Sequence, residues 1–151
     1  MIQAGIDTNI LLYAADNAGD RGKHERAVDL LDRISAAGRG VLALQALTEF
    51  YAVAIRKNRV QPNRAALFVD AWSEVFPIRE AVFADAVDAI RVQRSHNIAF
   101  WDAMMWSVVR RTGARFLLSE DLQDGRELEG VRFLNPFNPA NNAAIDEALG
   151  L

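Results

Sequence analysis

Asp7, Glu49, Asp102 and Asp121 lie in four distant stretches of the chain, and each stands beside an apolar run. If those runs are neighbouring strands and helices, the carboxylates converge into a hard oxygen donor set of the kind that holds divalent cations such as Mg2+. Each acid also has an ordinary structural role. Asp7 sits between a strand and a helix, where aspartate is a preferred N-cap. Asn9, two residues on, is either an amide that supports a ligand or a first-turn helix residue. Asp102 shares a helix face with Met105, Trp106 and Val109, so it faces the apolar side. A carboxylate there needs compensation from a helix N-terminus, a hydrogen-bond network or a cation. Glu49 lies with Gln45, Ala52 and Arg56 on the least apolar stripe of its helix, which by itself describes a solvated side chain. Asp121 belongs to Ser119-Glu120-Asp121-Leu122-Gln123-Asp124-Gly125, ordinary turn chemistry whose three acids leave the ligand ambiguous.

The rest of the composition narrows the chemistry. The chain has no cysteine, which removes disulfides, thiolate nucleophiles and cysteine-ligated metal clusters together. Its two histidines are too few for a histidine-rich metal site. His24 opens an exposed helix and His96 lies in a polar connection, so neither is placed as a general base. The 20 Asp and Glu outnumber the 17 Lys and Arg, which argues against holding nucleic acid on a broad basic surface but not against a metal-dependent nuclease. Arg56, Lys57, Arg59 and Arg64, with Arg110, Arg111 and Arg115 elsewhere, are either local phosphate contacts or solvated faces. Trp72, Trp101 and Trp106 are expected in the core or an interface. The N-terminus lacks a basic segment followed by an apolar stretch, and no apolar run approaches about 18 residues. The expectation is a soluble, cytoplasmic protein without membrane contact.

The elements that must position the acids follow from periodicity. At 151 residues one domain is expected. Ile2–Ile6 reads as a buried strand running straight into a short helix. Ala27, Leu30, Leu31 and Ile34 mark an amphipathic helix that ends at the glycines 38 and 40. Val41–Leu44 is a second strand and 45–57 a long helix, with another helix from Pro62 to about Trp72. Val75–Ile78 is a short strand, and a helix over 80–94 repeats Val82, Phe83, Ala86, Val87 and Ile90 on one face. Helix 100–111, strand 115–118 and strand 131–134 complete the pattern. Apolar strands alternating with helices imply a three-layer α/β/α sandwich with a mainly parallel central sheet. In such a sheet, ligands bind beyond the carboxyl ends of the strands at a topological switch point. The domain is expected over 1–137, with 138–151 a tail loosely packed on the surface.

Taken together, Asp7-Thr8-Asn9-Ile10-Leu11-Leu12-Tyr13, Gln45-Ala46-Leu47-Thr48-Glu49-Phe50, Phe100-Trp101-Asp102-Ala103 and Leu118-Ser119-Glu120-Asp121-Leu122 resemble the four acidic motifs of PIN-domain ribonucleases. The closing segment 130–137 is similar to the end of that domain in VapC-type toxins, and the resemblance spans about residues 2 to 137. It implies that Asp7, Glu49, Asp102 and Asp121 are metal-binding, catalytic acids, with Asn9 and Ser119 as polar supports. Asp124 matches a second acidic position of the fourth motif, so the choice between it and Asp121 stays open. The implied activity is Mg2+-dependent endonucleolytic RNA cleavage, with Mn2+ able to substitute. The implied partners are an antitoxin protein and a second copy of the chain, the homodimer forming through the helices around Tyr51 and Phe68. Two alternatives compete. A haloacid-dehalogenase-like phosphatase also carries Asp after its first strand, but that chemistry uses a second Asp where this chain has Asn9. A catalytically silent PIN-like module would keep the acids for structure alone.

Overall fold

The short apolar runs form strands and the amphipathic stretches between them form helices, in a computed structural model that describes residues 1–150. In chain order these are β1 (Ala4–Ile6), α1 (Thr8–Ala15), α2 (Arg21–Ala37), β2 (Gly40–Ala43), α3 (Leu44–Arg56), α4 (Pro62–Val75), β3 (Ile78–Arg79), α5 (Phe83–Ser95), α6 (Phe100–Arg111), β4 (Phe116–Leu118), β5 (Glu127–Leu128) and β6 (Val131–Leu134). A 3-10 turn (Pro139–Asn141) and α7 (Asn142–Leu149) follow. The strands form one sheet in the order β3-β2-β1-β4-β6-β5, parallel throughout except for the β5–β6 pair. The expected sandwich is therefore the fold, and β1 lies inside it with β2 on one side and β4 on the other.

Two glycines set how closely the helices approach. In the β1–β2 register Ala4 pairs with Gly40, so Gly5 and Gly40 point to opposite faces of the sheet. A Cβ on Gly5 would stand 2.5 Å from a methyl of Val109 in α6, and one on Gly40 would stand 2.5 Å from Ile34 in α2. Helices α6 and α2 thus cover the two faces at a distance that only a bare Cα permits. Gly5→Ala is expected to destabilise the fold by about 1–3 kcal/mol, because buried Val109 has no free space to move into. Urea unfolding checks this, and an unchanged midpoint would refute the close-packing argument.

Two sequence expectations fail, each for a physical reason. Most of the periodic set on α5 faces outward: Val82, Phe83, Val87 and Ile90 are exposed and only Ala86 packs partly against the core, while Asp85, Ala89 and Val92 are buried against α6. What fixes this rotation is Asp85. Its carboxylate accepts from Val82 N at 2.9 Å, Ser107 Oγ at 3.2 Å and Arg111 Nη2 at 3.0 Å, so the polar face is the one with partners on α6. The tail is not loose either. In α7, Ile145 and Leu149 are buried, Arg33 of α2 pairs with Asp146, and Arg39 donates to the Ala148 carbonyl. Of the three tryptophans, Trp72 and Trp106 are buried in the core, whereas Trp101 is not, being 66% exposed. Strand β5 is an addition, held by the Trp106 indole N–H, which donates to Leu128 O at 3.1 Å. Among the described residues no helix is long and apolar enough to cross a membrane.

Candidate active site

Sheet order and helix direction bring the acids to one edge. Asp7 follows β1, Ser119 and Asp121 follow β4, and α3 with Glu49 follows β2, so all three segments leave the sheet at its carboxyl ends. Helix α6 precedes β4 and runs back along the sheet, which puts Asp102, in its first turn, at the same edge.

Asp7 is the centre of the arrangement. It is buried and caps α1, its Oδ1 accepting from Thr8 N at 2.7 Å. Its Oδ2 accepts from Ser119 Oγ at 2.6 Å and from Asn9 Nδ2 at 3.3 Å. Cap and site membership are thus not alternatives, since one oxygen serves the helix and the other faces the neighbouring groups. Burial pushes the Asp7 carboxyl up to about 6. The hydrogen bonds from Ser119 and Thr8 oppose that rise, and the charges of Asp102 and Asp121 add to it. Asp102 is raised too, first by burial and then by the charges of Asp121 and Glu49. Four acids from four segments therefore feel one another. Asp102 and Asp121 also line a cleft of about 130 Å3 together with Arg126.

The supporting groups are polar and closely linked. Asn9 Nδ2 also reaches Ser119 Oγ at 3.3 Å and Asp121 Oδ2 at 3.1 Å, and Ser119 Oγ accepts from Asp121 N at 3.1 Å. Thr8 Oγ1 donates to Glu49 Oε2 at 3.3 Å, tying the more exposed glutamate to the start of α1. Asp124 is elsewhere. Burial alone would raise its carboxyl, but donors from Asn135 N, Asn138 and Asn141 hold it below the usual range and commit it to the turn before α7. The structure brings Asp121 to the other acids and leaves Asp124 outside.

Sequence reasoning missed a brace beside the site. Tyr13 Oη donates to Glu120, and Lys23 Nζ reaches the other oxygen of Glu120 at 2.8 Å, fastening the Ser119–Asp121 loop to α1 and α2. No local spacing relates residues 13, 23 and 120, and only the adjacency of Glu120 to Ser119 and Asp121 hinted at it.

Whether these residues suit a divalent ion depends on donor type and placement. Among the described residues no three acid or histidine side chains are placed so as to hold an ion as they stand. By type the carboxylates suit a hard cation well, being oxygen donors among which the charges of Asp102 and Asp121 raise the Asp7 carboxyl and those of Asp121 and Glu49 raise Asp102. In addition, the buried Asn9 Oδ1 has no donor, an unsatisfied oxygen in the middle of the cluster.

The family model for the PIN domain matches residues 5–123, which includes all four acids. The chain belongs to the PIN-domain family. The phosphatase alternative falls with that assignment. No curated protein matches the sequence. Among solved structures, this PIN domain is similar to VapC20 of Mycobacterium tuberculosis, described as a sarcin-ricin loop cleaving toxin, at 20% identity over 76% of this chain and 87% of that one, with a TM-score of 0.61. It is also similar to a toxin-antitoxin complex from Klebsiella pneumoniae, at 20% identity over 89% and 98% of the two chains, with a TM-score of 0.59. The DNA-bound VapBC of Salmonella typhimurium shares 14% identity over 90% and 99%, with a TM-score of 0.65. At these identities the likeness is one of fold.

Proposed function

We propose that this PIN domain is a metal-dependent endoribonuclease acting as the toxin of a toxin-antitoxin pair. The observation that carries the reading is Asp7, a buried carboxyl pushed up to about 6 at the centre of the sheet's carboxyl edge, with Asp102 and Asp121 acting on it electrostatically. Asp7 and Asp102 would be the principal ligands of Mg2+ or Mn2+, with Asp121 and Glu49 completing the shell. A bound divalent ion supplies charge relief at the phosphate and a water of lowered pKa. The chain's own part is to fix the acids: Ser119 orients Asp7, Asn9 holds Asp121 beside it, and Thr8 holds Glu49. The second oxygen of Glu49 is left to orient a water or take its proton.

The partners fit the same reading. The likeness to toxin-antitoxin complexes supports an antitoxin that covers the acids. A homodimer through α3 and α4 would cover Tyr51 and Leu67, which are exposed.

The deciding experiment is to sequence the RNA ends left by the purified protein with Mg2+ or Mn2+. New 5′-phosphate and 3′-hydroxyl ends that vanish with EDTA are expected, and absence of metal-dependent cleavage refutes the proposal. Glu49→Gln is expected to slow the same cleavage about 10- to 100-fold, the loss typical of groups that orient a metal site. The amide oxygen can still accept from Thr8, so a fully active variant would reduce Glu49 to a solvated helix residue.

A further inference from the structure

We infer that Trp101 is a stacking platform for an unpaired nucleobase next to the phosphodiester held at the acids. The inference rests on the ribonuclease reading and specifies its substrate as RNA that is single-stranded at the cleavage point. A tryptophan left 66% exposed on a helix is costly unless something covers it. Trp101 is the residue before Asp102, so whatever covers its ring lies beside the acid cluster. Its neighbour Phe100 supports it edge to face, with ring centroids 5.1 Å apart.

The surroundings match a base. Trp101 lines a groove of about 280 Å3 at the carboxyl ends of β2 and β3, with Leu44, Gln45, Met104, Val108 and Arg79. Gln45 Nε2 donates to the Trp101 carbonyl at 3.0 Å, which ties the first turns of α3 and α6 together across the groove. Most of the lining is apolar, as a stacked ring requires. Arg79 donates only to the adjacent Ile78 carbonyl and forms no salt bridge among the described residues, so a cation is free for the phosphate of the next nucleotide. Gln45 in the groove's lining stands one helical turn before Glu49 on α3, and Trp101 stands one residue before Asp102 on α6, so two helices that carry the acids also line the groove.

Binding and turnover test this separately. With EDTA present, a single-stranded ten-nucleotide RNA and the same sequence fully paired are titrated against wild type, Trp101→Ala and Trp101→Phe, following tryptophan fluorescence and anisotropy. Trp72 and Trp106 are buried, so quenching reports Trp101. Single-stranded RNA is expected to quench wild type and bind Trp101→Ala at least about tenfold more weakly, with most affinity kept by Trp101→Phe. On any RNA the protein cleaves, Trp101→Ala should raise KM more than it lowers kcat. Equal affinity of wild type and Trp101→Ala, or equal quenching by the duplex, overturns the inference even if cleavage stands. A change in elution volume on size exclusion for Trp101→Ala, with RNA affinity unaltered, also overturns it and assigns the ring to a protein contact.

Discussion

Asp7→Asn is expected to abolish most RNA cleavage, by more than the 10- to 100-fold that losing an outer group of a metal site costs, while the protein stays folded. The amide keeps the shape of the carboxylate and can still accept from Thr8 N, so the cap on α1 survives. What goes is the charge at the centre of the cluster. Asp102→Asn should act similarly, because its carboxylate is the acid that faces Asp121 and Glu49. Single-turnover rates with saturating Mn2+, beside circular dichroism of the same samples, make the comparison. Wild-type rates in either variant would remove that acid from the chemistry, and an unfolded variant would show that its role is structural.

The second large effect concerns stability, pH and metal together. Asp7 has a folded pKa of about 6 against an ordinary value of 3.8, so the folded state holds the proton more tightly than the unfolded state. The contribution of this group is therefore most favourable below about pH 4, falls as pH rises through the window from 3.8 to 6, and is fully lost above it. The shift corresponds to about 3 kcal/mol, an order-of-magnitude figure. Asp102 acts in the same direction. Asp16, Asp85 and Asp124 act in the opposite direction, so the overall profile mixes both signs. Subtraction isolates Asp7: in EDTA, the unfolding temperature of Asp7→Asn relative to wild type should climb between pH 4 and pH 7. A constant offset would instead reflect lost hydrogen bonds alone. At pH 7.5, Mn2+ at a hundredfold excess over its Kd should raise the wild-type midpoint by about 5–10 °C. That rise should shrink below pH 6, where protons compete for Asp7, and should be much smaller in Asp102→Asn. Equal Mn2+ responses in wild type and Asp102→Asn would show that Asp102 is not a ligand.

Elements whose burial follows their own periodicity were legible from the residues alone. The β1-to-α1 junction at Asp7, the α6 face of Met105, Trp106 and Val109, and the strand before Ser119 all follow from apolar spacing. The α5 face was not, because two stripes compete on that helix and the decision belongs to Arg111 and Ser107 on another element. Local pattern carries no information about a cross-helix ion pair. The same holds for α7, whose few apolar residues find their partners on α2. At the site, residue type pointed to the acids, but the Tyr13–Lys23–Glu120 brace depends on contacts across about a hundred positions. Spacing left Asp121 and Asp124 equivalent, and only the direction of each side chain, toward Asn9 or toward Asn141, separates them.

The place of β1 inside the sheet governs when the acid cluster can close during synthesis. Asp7 emerges from the ribosome 112 residues ahead of its hydroxyl partner Ser119. Strand β1 can pair with β2 early but gains its other neighbour only after β4 has emerged. A nascent or prematurely terminated chain ending before Phe116 carries Asp7, Glu49 and Asp102 but lacks the strand and loop that close the cluster around them. Such fragments are incomplete where it matters for the proposed chemistry. Closure of the cluster is thereby tied to the emergence of β4 and the loop after it, however early the other three acids are made.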